Sequence, residues 1–334
     1  MSGFDAVLLV AFGGPEKPQD VRPFLDNVLR GRPVPAERYE EVVRHYDVIG
    51  GRSPLNELTF RQAAGLAALL AAEGPCLPVY VGMRCWSPYV ADTLARMRDE
   101  GVRRALAVIL APHRSEASWG RYTAAVDAGR AALGTEAPEV AYADGWFDHP
   151  LFIEAVVSRT RDALAALAVG HGPDASGAAT APAAGVVGGP PDRAAQEGAQ
   201  LLFTAHSLPV TMAECSPYVR ELEASCRLVA TALGRTDYAL AFQSRSGSPR
   251  EPWLEPDVND AIRALAARGA RTLVLVPIGF ACDHVEVLYD LDVEARATAA
   301  AAGARLVRAG TVGDHPAFVR MLAEVVRAHA GCAR

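Results

Sequence analysis

The chain has 334 residues, half of them hydrophobic, which is enough for one large domain or two domains of ordinary size. Its formal net charge of −6 argues against nucleic acid as the principal partner, because binding to phosphates requires a basic face. Six cysteines lie far apart without a Cys-x-x-Cys pair, which indicates reduced thiols and argues against a disulfide framework or a zinc site.

Apolar runs alternate with segments of helical periodicity along the chain, a pattern typical of parallel sheets with helices on both faces. Ser87-Pro88 should supply an N-cap and a first helical proline, and Asp257 should cap a later helix. The apolar runs predict strands at 6–11, 78–82, 105–111, 138–142, 200–205, 238–243, 272–278 and 304–308. The periodic segments predict helices at 55–73, 87–100, 115–133, 148–168, 215–233, 257–269, 283–302 and 315–330.

A change of composition separates the first four strands from the last four. Between Ala165 and Gln200 the sequence is dominated by glycine, alanine and proline, and it cannot bury enough apolar surface to offset the entropy of ordering. We therefore predict two similar Rossmann-like halves, residues 1–165 and 200–334, with a ligand cleft between them and a last helix able to pack back on the first half. The connection at 166–199 is predicted to be a disordered loop, and a functional lid is the alternative.

Two predicted strands end in residues that can carry chemistry. His206 closes the apolar run at 200–205, and the strand at 272–278 is soon followed by Glu286. The carboxyl ends of strands are where open α/β sheets bind ligands. Imidazole and carboxylate are general bases, and together they suit a divalent first-row metal ion. A lone histidine would more often be structural, but the second strand end favours a functional interpretation.

Acidic residues continue beyond Glu286 at helical spacing. Asp290 and Glu294 follow at intervals of four residues, and Asp283 lies one turn earlier, so all four should share one helix face. Spacing alone favours a solvated acidic face with Asp283 at the helix amino terminus. We interpret His284 as a residue that orients the turn and not as a metal ligand.

These segments resemble the signature regions of the ferrochelatases, which insert ferrous iron into a porphyrin. The signatures are TAHSLP at 204–209 and GFACDHVEVLYDLD at 279–292. Further matches are AFGGP at 11–15, IGGRSPL at 49–55, YVGMR at 80–84, LAPH at 110–113 and PWLEPDV at 252–258. Apart from residues about 169–198, the matches cover nearly the whole chain in the expected order.

The resemblance implies a chelatase-like fold with the porphyrin in the cleft and ferrous iron as a substrate. It assigns His206 as pyrrole-proton acceptor, iron ligand or both, and Glu286 as the partner carboxylate on the opposite side of the cleft. It also implies that Asp290 and Glu294 form an outer metal site that feeds Glu286.

The resemblance further implies a set of porphyrin-binding residues, with an aromatic side chain in the apolar slot and donors for the propionates. Phe12 stands where many soluble bacterial members have tyrosine, and His45 stands where relatives often have arginine. The first departure removes any ligation of iron through a phenol oxygen at this position. The second bears on the propionate contacts and therefore on the choice of porphyrin. The porphyrin-binding residues are Phe12, Arg30, His45, Tyr46, Ser53 and Tyr122.

Some family members carry an iron–sulfur cluster on cysteines near the carboxyl terminus. Only Cys332 lies there in this chain, so we expect no cluster and no other permanently bound cofactor. The amino terminus lacks the regions of a signal peptide, and no apolar stretch reaches the roughly 20 residues that span a bilayer. We expect a soluble, cytoplasmic protein and a monomer.

Several functions are compatible with these residues. A ferrochelatase that acts on coproporphyrin III is favoured over one that acts on protoporphyrin IX. A cobalt or nickel chelatase and a non-catalytic tetrapyrrole or metal carrier of the same fold remain alternatives, because ligand type does not separate neighbouring divalent ions. A phosphate loop at Phe12–Pro15 is disfavoured, since the G-x-G-x-x-G spacing is missing and Pro15 removes a backbone donor.

Overall fold

The computed structural model describes residues 3–30, 34–168, 198–247 and 251–331. Most of the predicted loop at 166–199 and Cys332 therefore lie outside the described residues. The strands are β1 Ala6–Ala11, β2 Val79–Met83, β3 Arg104–Ile109, β4 Glu139–Tyr142, β5 Gln200–His206, β6 Tyr238–Gln243, β7 Thr272–Val276 and β8 Arg305–Arg308. The first six helices are α1 Val21–Leu29, α2 Ala36–Val48, α3 Leu55–Glu73, α4 Val90–Asp99, α5 Arg121–Leu133 and α6 Pro150–Ala168. The helices after β5 are α7 Val210–Glu214, α8 Tyr218–Ala232, α9 Val258–Ala267, α10 Val285–Leu288, α11 Arg296–Ala301 and α12 Pro316–His329.

The strands form two parallel sheets with the same topology, β2-β1-β3-β4 and β6-β5-β7-β8. All residues of β1 and five of the seven residues of β5 are buried. Parallel sheets are covered on both faces, which is why these strands read as continuous apolar runs and not as alternating ones. The predicted fold of two four-stranded parallel sheets flanked by helices is confirmed.

The two sheets share a hydrophobic core through the last helix. One buried cluster includes Leu9 of β1, Phe203 of β5 and Phe318 of α12. Phe318 packs edge-on against Trp146, with ring centroids 5.3 Å apart. A Cβ atom added at Gly65 of α3 would come within 2.9 Å of Val319, so the small residue permits the close approach of α12. The last helix therefore packs against α3 of the first half.

The predicted start of α4 is wrong. Ser87 and Pro88 belong to a turn in which the Met83 amide donates to the Pro88 carbonyl, and the helix begins at Val90 after Tyr89 without a side-chain cap. Asp257, in contrast, caps α9 by accepting from the Asn259 amide.

The predicted helix at 283–302 is also wrong as a single element. It consists of α10, a wider π-helical turn at Asp290–Ala295, and α11. The Glu294 amide donates to the Tyr289 carbonyl at 3.1 Å, which is an i to i+5 hydrogen bond. Sequence periodicity did not predict α1, α2 or α7, which are short or strongly charged helices. No described helix is long and apolar enough to cross a bilayer.

The packing of α12 against the first half predicts how a truncation in this helix changes the free energy of unfolding. Phe318→Ala should lower the free energy of unfolding by about 3–5 kcal/mol, because it removes a fully buried ring and leaves a cavity. Phe60, whose exposed fraction is 43%, is the matched control, and Phe60→Ala should change that free energy little. Urea unfolding followed by circular dichroism compares the two. Equal losses would contradict a core role for α12.

Candidate active site

The parallel pairing of β5 and β7 brings His206 and Glu286 together. His206 is the last residue of β5, and Glu286 lies in α10, which follows the neighbouring strand. The His206 Nε2 atom is 3.3 Å from Glu286 Oε1, while Nδ1 lies 2.5 Å from the Ser207 carbonyl oxygen. Nδ1 therefore donates to the main chain, and Nε2 faces the carboxylate. The side chains are 28% and 37% exposed.

The expected position of Glu286 on the opposite side of the cleft from His206 is wrong. Both residues belong to the half built on the second sheet, and they contact each other directly. The reason is topological, since β5 and β7 are hydrogen-bonded neighbours whose carboxyl ends lie at one edge.

The contact changes the protonation of both groups. Burial alone would lower the pKa of His206, but the charge and hydrogen bond of Glu286 outweigh it and raise this pKa to about 9. For Glu286, burial would raise the pKa, but the His206 charge and hydrogen bond lower it to about 2. The pair is therefore an imidazolium and a carboxylate at neutral pH.

The backbone amide and the backbone carbonyl of Glu286 each form a hydrogen bond with a side chain. The His284 side chain caps α10, with Nδ1 accepting from the Glu286 amide at 3.2 Å. The predicted orienting position of His284 agrees with this contact. Gln243, at the end of β6, donates from Nε2 to the Glu286 carbonyl at 2.6 Å. Sequence reasoning missed Gln243, because nothing in its surroundings marks the strand end as functional.

The acidic residues beyond Glu286 have different environments. Asp290 accepts a hydrogen bond from the Ser244 hydroxyl. Burial raises the Asp290 pKa to about 7, with the nearby carboxylates of Glu286 and Glu294 acting in the same direction. Glu294 itself is exposed. The row is therefore not one uniformly solvated face.

Asp283 does not occupy the position expected from spacing. It pairs with Arg308 at 3.3 Å, and His284 is the residue that caps α10. The placement of Asp283 at the helix amino terminus is corrected accordingly.

The first half presents two buried tyrosines and a histidine to this site. Burial raises the pKa of both Tyr46 and Tyr122, and the Glu286 carboxylate adds to both shifts. Their hydroxyls therefore stay protonated and can donate. His45 stacks on Tyr289 from the other half, with ring centroids 3.7 Å apart. This stack is a direct contact between the two halves.

The other predicted porphyrin-binding residues, Phe12, Arg30 and Ser53, also belong to the first half. Phe12 packs edge-on against Phe24 at 6.0 Å, and the Arg84 guanidinium lies 5.0 Å from the centre of the Phe12 ring. Arg30 is exposed and donates to the Arg84 carbonyl at 3.0 Å. Ser53 is buried, and its hydroxyl accepts from the backbone amide of residue 55 at 3.3 Å. Phe12 and Arg30 therefore both contact Arg84. The Ser53 hydroxyl already has a hydrogen-bond partner within the protein.

A buried network not assigned from the sequence connects the halves behind His206. His113, four residues beyond the end of β3, lies 3.0 Å from the Ser225 hydroxyl, and burial lowers its pKa to about 3. The Tyr218 hydroxyl donates to the His206 carbonyl at 2.9 Å and its ring packs edge-on against His113. The LAPH motif was the signal for His113, but a motif alone does not reveal its partner.

Comparison with protein families and curated proteins gives concordant matches. The family model described as Ferrochelatase matches residues 4–330. A coproporphyrin III ferrochelatase of Mycolicibacterium vanbaalenii is 43% identical over 331 residues, covering 96% of this chain and 89% of the relative. A ferrochelatase of Rhodopirellula baltica is 41% identical over 329 residues, covering 98% of this chain and 87% of the relative.

Solved structures of chelatases have a similar fold. The sirohydrochlorin chelatase SirB from Bacillus subtilis subspecies spizizenii, in complex with cobalt, matches with a TM-score of 0.53 and 12% identity. That match covers 98% of this chain and 95% of SirB. DR2241 from Deinococcus radiodurans, a multi-domain protein with structural similarity to chelatases, matches with a TM-score of 0.53 and 17% identity. It covers 99% of this chain and 56% of DR2241. At these identities the likeness supports the fold alone.

The opposite pKa shifts of His206 and Glu286 predict a stability contribution limited to a window of pH. The raised pKa of His206 makes its full contribution to the free energy of unfolding below the ordinary pKa of about 6.5. This contribution is lost as pH rises through about 9. The lowered pKa of Glu286 makes its full contribution to the free energy of unfolding above the ordinary pKa of about 4.5. This contribution is lost as pH falls through about 2. Glu286→Gln should therefore destabilise the protein most between about pH 4.5 and 6.5, by about 1 kcal/mol or less because the pair is partly exposed.

Thermal unfolding of both proteins from pH 3 to pH 10, the range of about seven units that brackets this window, measures the difference. Glu57→Gln is the matched control, because Glu57 pairs with Arg61 at 2.5 Å and a guanidinium keeps its charge over this whole range of pH. The control should show no maximum in this window. A Glu286→Gln effect that does not vary with pH would contradict the charged state of the pair.

Proposed function

The chain belongs to the ferrochelatase family, and we propose that it inserts ferrous iron into coproporphyrin III. The observation that carries this proposal is the contact between a strand-end imidazole and a carboxylate, beside further acids and opposite buried tyrosines. The relatives named as coproporphyrin III ferrochelatases support the choice of porphyrin.

Insertion of iron releases two pyrrole protons, so the site needs a group that accepts them. In the resting pair His206 already holds a proton, and it becomes a base only after this proton leaves. A ferrous ion that reaches Glu286 competes for the carboxylate and removes the charge that keeps His206 protonated. Iron binding therefore favours transfer of the His206 proton to water, which reaches the side chain because it is 28% exposed. The neutral imidazole then accepts the two pyrrole protons one after the other and passes each to water.

The groups that face the pair from the first half suit a porphyrin with several propionates. Tyr46 and Tyr122 are neutral donors, and Arg30 is a cation at the outer side of the site. Charge-assisted hydrogen bonds from such donors are favourable partners of carboxylates. The stack on Tyr289 covers the face of the His45 ring, but the ring nitrogens form hydrogen bonds in the ring plane, where Nε2 lies 3.9 Å from Glu41.

Cobalt or nickel insertion and non-catalytic binding are the alternatives that an assay separates. Nitrogen and oxygen donors do not discriminate strongly among these ions. A carrier has no need of a proton acceptor beside its carboxylate. The absence of an iron–sulfur cluster, the monomeric state, the cytoplasmic location and the outer role of Asp290 and Glu294 stay predictions.

An insertion assay with coproporphyrin III, protoporphyrin IX and ferrous iron tests the proposal. The wild-type protein should use coproporphyrin III with the higher kcat/KM. His206→Ala should bind the porphyrin yet lose insertion by about 10²–10⁴-fold, the usual effect of removing a positioned base. His329→Ala is the matched control, because His329 pairs with Asp144 at 3.4 Å outside the site. Near-normal turnover by folded His206→Ala would contradict the assignment.

The outer acids should affect iron capture and not the chemical step. Asp290→Asn combined with Glu294→Gln should raise the apparent KM for ferrous iron and change kcat little, whereas Glu286→Gln should lower kcat even at saturating iron. Iron titrations at fixed porphyrin measure both. A control with the same change of charge is Asp127→Asn combined with Glu136→Gln on the exposed surface of the first half. An unaltered iron dependence in the outer variant would show that Asp290 and Glu294 take no part in iron capture.

A further inference from the structure

Arg308, the last residue of β8, holds two aspartates that lie on either side of Glu286 in the sequence. Its Nε and Nη2 atoms each donate to a different oxygen of Asp292 at 2.8 Å. Its Nη1 and Nη2 atoms donate to the two oxygens of Asp283 at 3.3 Å. The Arg308 side chain is only 10% exposed, so this fork is shielded from solvent. One guanidinium therefore connects both ends of the segment 283–292.

The segment between these two aspartates cannot hold its geometry by local interactions alone. It contains α10, which has four residues, and the beginning of the π-helical turn at Asp290–Ala295. Helices this short are marginal in isolation, because the cost of nucleation exceeds the gain from a few hydrogen bonds. The position of Glu286 therefore depends on tertiary contacts at the ends of the segment.

Arg308 also separates the acids of this segment by their charge partners. Asp283 and Asp292 share the charge of the Arg308 guanidinium, and Asp292 additionally lies 3.6 Å from Arg296, so two cations balance the two carboxylates. Glu286 and Asp290 are left with their carboxylates beside His206 and Ser244. A planar guanidinium can satisfy two carboxylates in fixed directions, which a lysine ammonium cannot do.

We propose that Arg308 is a positioning residue for metal insertion, which sets the placement of Glu286 against His206 by clamping Asp283 and Asp292. The inference rests on the proposed function for its catalytic part. A displacement of about 1 Å at a reacting group can reduce a rate by about 10²-fold, so loss of the fork should reach the chemical step without any contact with the substrate.

Arg308→Lys tests the clamp, because it keeps the charge and removes the fork. It should lower kcat at saturating iron by about tenfold or more and leave the dissociation constant of coproporphyrin III within about twofold. The matched control is Arg327→Lys, since Arg327 bonds to Gly74 at 2.9 Å and pairs with Glu73 at 3.0 Å on the opposite side of the fold. The control should leave kcat unchanged even if it lowers the melting temperature equally.

Hydrogen exchange measured by mass spectrometry gives a readout that does not require activity. Amides at 285–295 should exchange faster in Arg308→Lys than in the wild type, and not in Arg327→Lys. Unchanged exchange, or faster exchange with kcat within about twofold of the wild type, would overturn the proposal. If Arg308→Lys does not fold, Asp292→Asn serves instead, because it weakens one arm and keeps the Asp283 pair. A wild type that inserts no iron would refute the proposed function, whereas the exchange comparison would still test the clamp.

Discussion

The site depends on the parallel pairing of β5 with β7. This pairing puts the carboxyl ends of both strands at one edge of the sheet. Residues at or just beyond the end of one strand can therefore contact residues that follow the other strand. His206 reaches Glu286 because α10 starts shortly after β7 at that same edge. With β6 on the other side of β5, Gln243 comes within hydrogen-bonding distance of the Glu286 carbonyl. A shift of one residue in this register would turn His206 to the other face of the sheet and separate the pair.

The first half contributes aromatic side chains near the pair. Tyr46 and Tyr122 are buried and feel the charge of Glu286, while His45 stacks on Tyr289 of the other half. A stacked aromatic pair contributes about 1 kcal/mol beyond the burial of its area. A porphyrin offers a much larger apolar surface, so its binding can offset the loss of this one contact. The contact between His45 and Tyr289 is therefore compatible with a cleft that opens for its substrate.

The strands and His206 could be predicted from the sequence, because continuous apolar runs and strand-end position are local signals. The direct contact of His206 with Glu286 could not, since it depends on which strands are neighbours. The same limit applies to Arg308, whose partners Asp283 and Asp292 lie 25 and 16 positions away along the chain. Helical periodicity was misleading beyond Glu286, because a π-helical turn keeps a four-residue spacing in the sequence while it changes the geometry.

Acids that look equivalent in the sequence become distinct through burial and partners. Glu294 is exposed, Asp290 is partly buried with a raised pKa, and Glu286 is paired with a cation. A divalent ion that moved inward along them would pass from an exposed carboxylate to one whose burial raises its pKa, and then to one paired with His206. A partly desolvated carboxylate attracts a cation more strongly, because the local dielectric constant is lower. At Glu286 the ion would instead compete with the charge on His206, whose proton must leave before the imidazole can act as a base.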